Sequence, residues 1–184
     1  MFYFVALVLL AVVVIAWFIA IYNGLVRKRN LVREAWSGID VQLKRRYDLI
    51  PNLVETVKGY TKHEEGIFTE VARLRSAAIN ASSPEAKGHA EAALTAGLRT
   101  VFAVAEAYPE LKANDNFRDL QQSLQKVEEE LQLARRYYNG TTREYNTAIE
   151  TFPNVLLAGA MGFKQAGYFE LDDVSERNAP KVAF

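Results

Sequence analysis

Two histidines and no cysteine limit the chemistry open to this chain. Without thiols there is no disulfide, no zinc–thiolate site and no cysteine nucleophile. His63 stands among acids in Lys62-His63-Glu64-Glu65, residue types that could pass a proton or hold a metal. A helical zinc-protease site needs a second histidine four residues on, and none follows. His89 is isolated from any matching motif. Glu128-Glu129-Glu130 supplies three carboxylates, but consecutive helical residues point in different directions, so the run reads as a solvated face. No serine stands in a recognisable triad spacing with a histidine. The residues therefore predict no catalytic, cofactor or metal site. A hydrolase using His63 and Glu64 is the enzymatic reading left open.

Basic residues raise a second possibility, the binding of phosphates. The chain carries 22 basic and 22 acidic residues, and that zero balance argues against a nucleic-acid partner. Lys44-Arg45-Arg46 would lie about 27 Å beyond Arg27 on a straight helix. That is well past a Debye length of about 8 Å, so these residues are expected to pair with acidic neighbours. Tyr47, Tyr60, Tyr137, Tyr138 and Tyr145 are expected to pack and hydrogen-bond rather than stack on a ligand. No small-molecule substrate is implied.

The elements that position these residues begin with a segment suited to a bilayer. Met1 to Val26 contains no charged side chain, and Arg27-Lys28-Arg29 follows at once. A membrane-crossing helix needs about 20 apolar residues, and Tyr3, Trp17 and Tyr22 lie towards the ends, where aromatic rings favour the headgroup level. A secretory signal would carry basic residues first and small ones at its cleavage site. Here nothing basic precedes the run, and Phe18-Ile19-Ala20 puts a phenylalanine where a small residue is needed. A buried core helix would carry a polar stripe. The reading is a retained anchor over residues 1–26. The positive-inside rule then places Arg27, Lys28, Arg29 and Arg33 on the cytoplasmic side, with a short amino terminus outside. The first three would meet lipid headgroups, each basic residue contributing about 1 kcal/mol near an anionic surface.

Residues 27–150 read as helices. Val32, Trp36, Ile39, Leu43, Ile50, Val54 and Val57 trace an amphipathic helix to about residue 58, with Pro51 inside it. An interior proline costs about 3 kcal/mol unless the helix kinks or restarts; Asp48 could cap a restart, but the expectation is one kinked helix from 27 to about 58. Thr61 to Glu64 reads as a capping box for a helix bearing Ile67, Val71, Leu74 and Ala78. Ser83-Pro84 opens a third, with Leu94, Leu98, Val101, Phe102 and Ala105 facing a core. Tyr108-Pro109 breaks it. Phe117, Leu120, Leu124, Val127, Leu131, Ala134, Tyr138, Thr141, Tyr145 and Ala148 then form a heptad seam, capped by Asn114 or Asp115 and ended by Pro153. Short loops favour antiparallel neighbours. The expected fold is all-α: a transmembrane helix, then an antiparallel four-helix bundle, then an irregular apolar tail over 151–184. Alternation brings the last helix back towards the bilayer. The tail is expected to fold back over the bundle; the sharper alternative makes Phe152, Leu156, Leu157, Met161, Phe163, Tyr168 and Phe169 a candidate interaction surface for the membrane or a partner.

The block Asn30-Leu31-Val32-Arg33-Glu34-Ala35-Trp36 through Arg46-Tyr47-Asp48-Leu49-Ile50-Pro51-Asn52-Leu53 to Lys58-Gly59-Tyr60 resembles the LemA family. Asn116-Phe117, Ala134-Arg135-Arg136-Tyr137-Tyr138-Asn139, Tyr145-Asn146, Phe152-Pro153 and Gly162-Phe163 extend the resemblance over essentially the whole chain. It implies a single-pass bacterial membrane protein with a helical cytoplasmic domain. The family is also similar to a magnetosome-membrane protein, which implies a scaffold role by analogy alone. No glycine-rich phosphate loop supports a kinase. Together these readings predict a non-enzymatic scaffold or adaptor in the bacterial cytoplasmic membrane. Its expected partners are membrane lipids through the anchor, and either a second copy or another membrane protein. The alternative is an accessory or regulatory subunit of a membrane protease or transporter, docked through its tail.

Overall fold

The computed structural model describes residues 1–61 and 64–170, and among them there are helices but no strand. Helix α1 (Phe2–Lys58) runs for 57 residues without interruption, so anchor and first amphipathic helix are one element. Pro51 lies inside it. The restart at Asp48 does not occur; that carboxylate accepts from Lys44 Nζ at 2.6 Å instead. Proline at 51 has no N–H for the Tyr47 carbonyl one turn earlier. Arg75 Nε donates to that carbonyl at 2.8 Å. The acceptor orphaned by the proline is thus satisfied from a neighbouring helix, and α1 continues.

Helix α2 (Glu65–Asn80) begins later than the proposed capping box requires. Its N-cap is Glu64, which makes no capping bond and accepts from Tyr108 Oη at 2.9 Å. Lys62 and His63, and with them the histidine–carboxylate grouping, lie outside the described residues. The next two caps form as the residue types dictate. Ser83 Oγ accepts from Ala86 N–H at 3.1 Å at the start of α3 (Pro84–Glu106). Asn114 Oδ1 accepts from Phe117 N–H at 3.1 Å at the start of α5 (Asp115–Glu150). A five-residue α4 (Pro109–Ala113) follows the Tyr108-Pro109 break, and a four-residue α6 (Val155–Ala158) follows α5.

By its internal contacts the chain divides into two compact units. The first comprises residues 1–38 and 136–166; the second comprises 39–135 and, among the described residues, 167–170. Helices α2 and α3, about 24 and 35 Å long, are shorter than the roughly 54 Å of α5 and cannot accompany its full length.

In the first unit α1 and α5 run antiparallel, with Trp36 on Tyr138 at 5.1 Å between ring centroids and Lys28 on Glu144 at 3.4 Å. Leu25, Val32, Ala35, Tyr138, Tyr145 and Ile149 are buried there, whereas the apolar side chains from Phe2 to Phe18 are almost all exposed. In the second unit Ile39, Leu43, Ile50 and Val57 of α1, Val71 of α2, Leu94 and Val101 of α3, and Leu124 and Leu131 of α5 are buried. The predicted α5 seam is buried or half-buried throughout. Beyond Tyr138 the stripe widens, because Thr142, Asn146 and Ile149 are buried as well.

Candidate functional site

The second unit encloses an ionic cluster. Arg46 lies one turn beyond Leu43 and one before Ile50, and Glu91 stands three residues before Leu94, so both occupy core-facing positions of their helices. Arg46 Nη1 donates to Glu91 Oε2 at 2.9 Å and lies 3.4 Å from Glu128 Oε2. Arg46 Nη2 donates to Thr95 Oγ1 at 2.8 Å. The Tyr47 hydroxyl donates to the other Glu91 oxygen. Glu91 is 1% exposed. Burial, chiefly, pushes its carboxyl above the usual carboxylate range, against the opposing effects of Arg46 and the Tyr47 hydrogen bond. Burial and the Glu91 contact also push the Tyr47 phenol upward, so it remains a donor. Both oxygens of the Glu91 carboxylate are occupied and Arg46 and Glu91 are buried, whereas Glu128 is half-buried. What it does is clamp α1, α3 and α5.

All three residues of Lys44-Arg45-Arg46 find acidic partners: Asp48, Glu130 and Glu91. Glu128 and Glu130 are therefore ion-pairing residues, and only Glu129 fits the solvated face expected of that run. Tyr60 accepts from Asn114 Nδ2 at 2.9 Å and Tyr145 donates to Lys164 O at 2.9 Å. Tyr137 is exposed. A groove of about 330 Å³ beside the cluster is lined by Arg46, Thr95, Phe102, Gln125 and Glu128 among others. Another, of about 470 Å³, lies between α1 and α2 around Pro51, Phe68 and Arg75. Among the described residues no three His, Asp or Glu side chains are grouped to hold a metal, and His89 is exposed on α3.

The remaining candidates lie in the first unit, apart from Tyr168 and Phe169, which belong to the second. Arg27 is exposed, but Lys28 faces Glu144. Arg29 lies over the Phe163 ring at 5.0 Å, and its Nε finds no hydrogen-bond partner among the described residues. The tail set divides by burial. Phe163 and Phe169 are core side chains, Leu157, Met161 and Tyr168 are half-buried, and only Phe152 and Leu156 are openly exposed. Phe163 meets Tyr22 edge to face at 5.8 Å.

Two residues not anticipated as functional hold the tail. The Asn146 side-chain amide donates to Ala166 O and accepts from Ala166 N–H, both at 2.9 Å. This pairs it with the extended chain as another strand would. In the second unit the tail backbone lies against Gly88: a Cβ there would collide with Glu170 O, so this approach requires glycine on α3. Asn146 shares a helical stripe with Thr142 and Ile149, and that second stripe was the available signal.

A model of the LemA family matches residues 35–184. The chain belongs to the LemA family. Among LemA-related proteins, it is 27% identical to magnetosome protein MamQ 2 of Paramagnetospirillum magneticum over 90% of this chain and 72% of that protein. It is 26% identical to magnetosome protein MamQ of Magnetospirillum gryphiswaldense over 80% of this chain and 64% of that one. A protein LemA of Metamycoplasma hominis is 24% identical over 83% of this chain and 70% of its own length. The apolar, exposed start of α1 is long enough to cross a membrane and marks this LemA-family chain as a membrane protein.

Proposed function

We propose that this LemA-family protein is a non-enzymatic, membrane-anchored helical scaffold or adaptor that works through protein–protein contacts. The observation that carries the reading is the continuity of α1. One helix is bare and apolar over its first five turns and then becomes a core element of both packed units. Within the first unit the bare anchor therefore continues into the packed part of α1 as one helix. The chain's buried ionic groups are used internally, which fits a protein whose chemistry is structural. The anchor and Arg27-Lys28-Arg29 favour the bacterial cytoplasmic membrane, with the amino terminus outside and the folded region in the cytoplasm. The kinship with the magnetosome proteins MamQ supports a scaffold role by analogy alone.

The test is purification of the full-length chain in mild detergent, followed by mass measurement and identification of co-purifying proteins. A stable homo-oligomer or a defined complex is expected; a monomer with hydrolase activity would sink the proposal. For orientation, a cysteine placed at Glu130 should resist membrane-impermeant thiol reagents in intact cells. The second reading, an accessory subunit docked through its tail, draws on the exposure of Phe152 and Leu156. Deleting the tail would also remove buried Phe163 and Phe169. A Phe152→Ser, Leu156→Ser double variant is the cleaner probe, and loss of a specific partner from it would favour that reading.

A further inference from the structure

We infer that the turn joining α5 to the tail, residues 151–163, is a second membrane contact that inserts into the leaflet beside the anchor. Thr151 to Phe163 contains no charged side chain, although Glu150 precedes it and Lys164 follows. Phe152 is 79% exposed, Leu156 67% and Val155 47%, an apolar cluster at one tip.

The register within the first unit puts that tip at the membrane. Going from Trp36–Tyr138 to Lys28–Glu144, α1 steps back as α5 steps forward. The end of α5 at Glu150, about 9 Å further on, therefore lies alongside roughly residue 22 of α1. The contact of Phe163 with both Tyr22 and Arg29 sets the same level independently. Leu25 is buried and Ile21 half-buried, whereas the residues before Ile21 are exposed. Protein cover on α1 thus ends where the apolar anchor begins, and residues 152–156 sit at that boundary. Aromatic and aliphatic side chains at this level enter the headgroup–acyl boundary to a depth of about 5–10 Å.

Seven backbone N–H groups of the turn are bonded within it. A segment entering an apolar phase must satisfy its own N–H and C=O groups. The N–H groups of Val155, Leu156, Leu157 and Ala158 bond to Thr151, Pro153 and Asn154 carbonyls at 2.8–3.2 Å. Those of Met161, Gly162 and Phe163 bond to Leu157, Gly159 and Ala158. Gly162, at φ +74°, makes the turn that allows the last two. The Asn154 side chain donates to the Ala148 carbonyl at 2.9 Å, covering the open end of α5. A bilayer is the occupant that fits, because the same unit already carries a membrane helix and the turn continues its apolar surface.

The inference rests on the anchoring of the proposed function, and on neither its orientation nor its scaffold role. The natural absence of cysteine makes the test clean. Full-length chains bearing Leu156→Cys, Val12→Cys or Arg143→Cys are labelled with an environment-sensitive fluorophore. They are then reconstituted into phosphatidylethanolamine–phosphatidylglycerol vesicles, with and without lipid carrying an acyl-chain nitroxide. The expected result is blue-shifted emission at Leu156→Cys, quenched by the nitroxide lipid several-fold more than at Arg143→Cys. Water-like emission at Leu156→Cys with lipid quenching at Val12→Cys overturns the inference and leaves the anchor standing. Blue-shifted emission that nitroxide lipid does not quench also overturns it, in favour of burial against protein. Absence of quenching at Val12→Cys would remove the anchor itself, and the inference with it.

Discussion

The surroundings of Arg46 and those of Asn146 both take polar groups out of water, and they do so by opposite means. Around Arg46 the groups are charged: a guanidinium, the Glu91 carboxylate and, at 3.4 Å, Glu128. Around Asn146 they are neutral amides and a phenol, paired to the backbone of residues 164–166. A buried ion pair gains little over an apolar core but is severely destabilising once broken. Neutral amide pairs carry smaller stakes. The ionic cluster therefore specifies how α1, α3 and α5 fit together, whereas the amide contacts set where the tail is laid down. A change in the first should unfold its unit, and a change in the second should free a segment.

The largest effect should come from Glu91→Ala, which strips Arg46 and Tyr47 of their acceptor. Loss of one partner of a buried pair costs about 3–5 kcal/mol, read from guanidinium unfolding of the detergent-solubilised chain. A loss below 1 kcal/mol would mean that the cluster is not the clamp its geometry describes. Next comes Arg75→Ala, which uncovers the Tyr47 carbonyl that Pro51 cannot serve. A hydrogen bond from a charged donor is worth about 1.5–3 kcal/mol, and the loss should largely vanish in a Pro51→Ala background, where an N–H returns. Additive losses in that cycle would break the connection.

Asn146→Ala tests the other region. Two neutral hydrogen bonds contribute about 0.5–1.5 kcal/mol each, and their removal should expose residues 163–170 to limited proteolysis while helix content is retained. Global unfolding instead would erase the contrast between the two regions. The Lys28–Glu144 pair, both members largely exposed, should matter least. Lys28→Ala is expected to shift stability by under about 1 kcal/mol, less still in high salt.

A pH series sharpens the comparison further. Burial raises the Glu91 carboxyl above its ordinary value of 4.5 in the folded protein. The folded chain therefore binds that proton more tightly than the unfolded chain, and stability falls as pH rises through the interval between the two values. Unfolding of Glu91→Gln should lack this slope, and Asn146→Ala should retain it. A slope unchanged in Glu91→Gln would assign the titration to another group.

How much of this was legible in the amino-acid sequence follows from what each feature needs. Ser83, Asn114 and the α5 seam depend on residues three or four apart, and each appears where the spacing placed it. The capping box at Thr61 failed because its local fit competes with a contact outside the sequence window: Glu64 is held by Tyr108. Pro51 could not be resolved locally, since the donor that keeps α1 intact comes from Arg75 on another helix. The ionic cluster left a trace, as Arg46 and Glu91 interrupt apolar stripes. That they meet each other required α1 and α3 to be packed.

Residue order alone determined an uncharged run ended by three basic residues, helical periods, and a motif block that resembles the LemA family, because each depends on composition or on spacing within a few turns. Tertiary structure decided which tail residues remain exposed. Phe163 and Phe169 look no different in sequence from Phe152, yet two are core and one is bare. Burial is a property of what lies opposite a side chain, and here Tyr22, Arg29 and the Asn146 amide, all distant in sequence, determine where the tail settles.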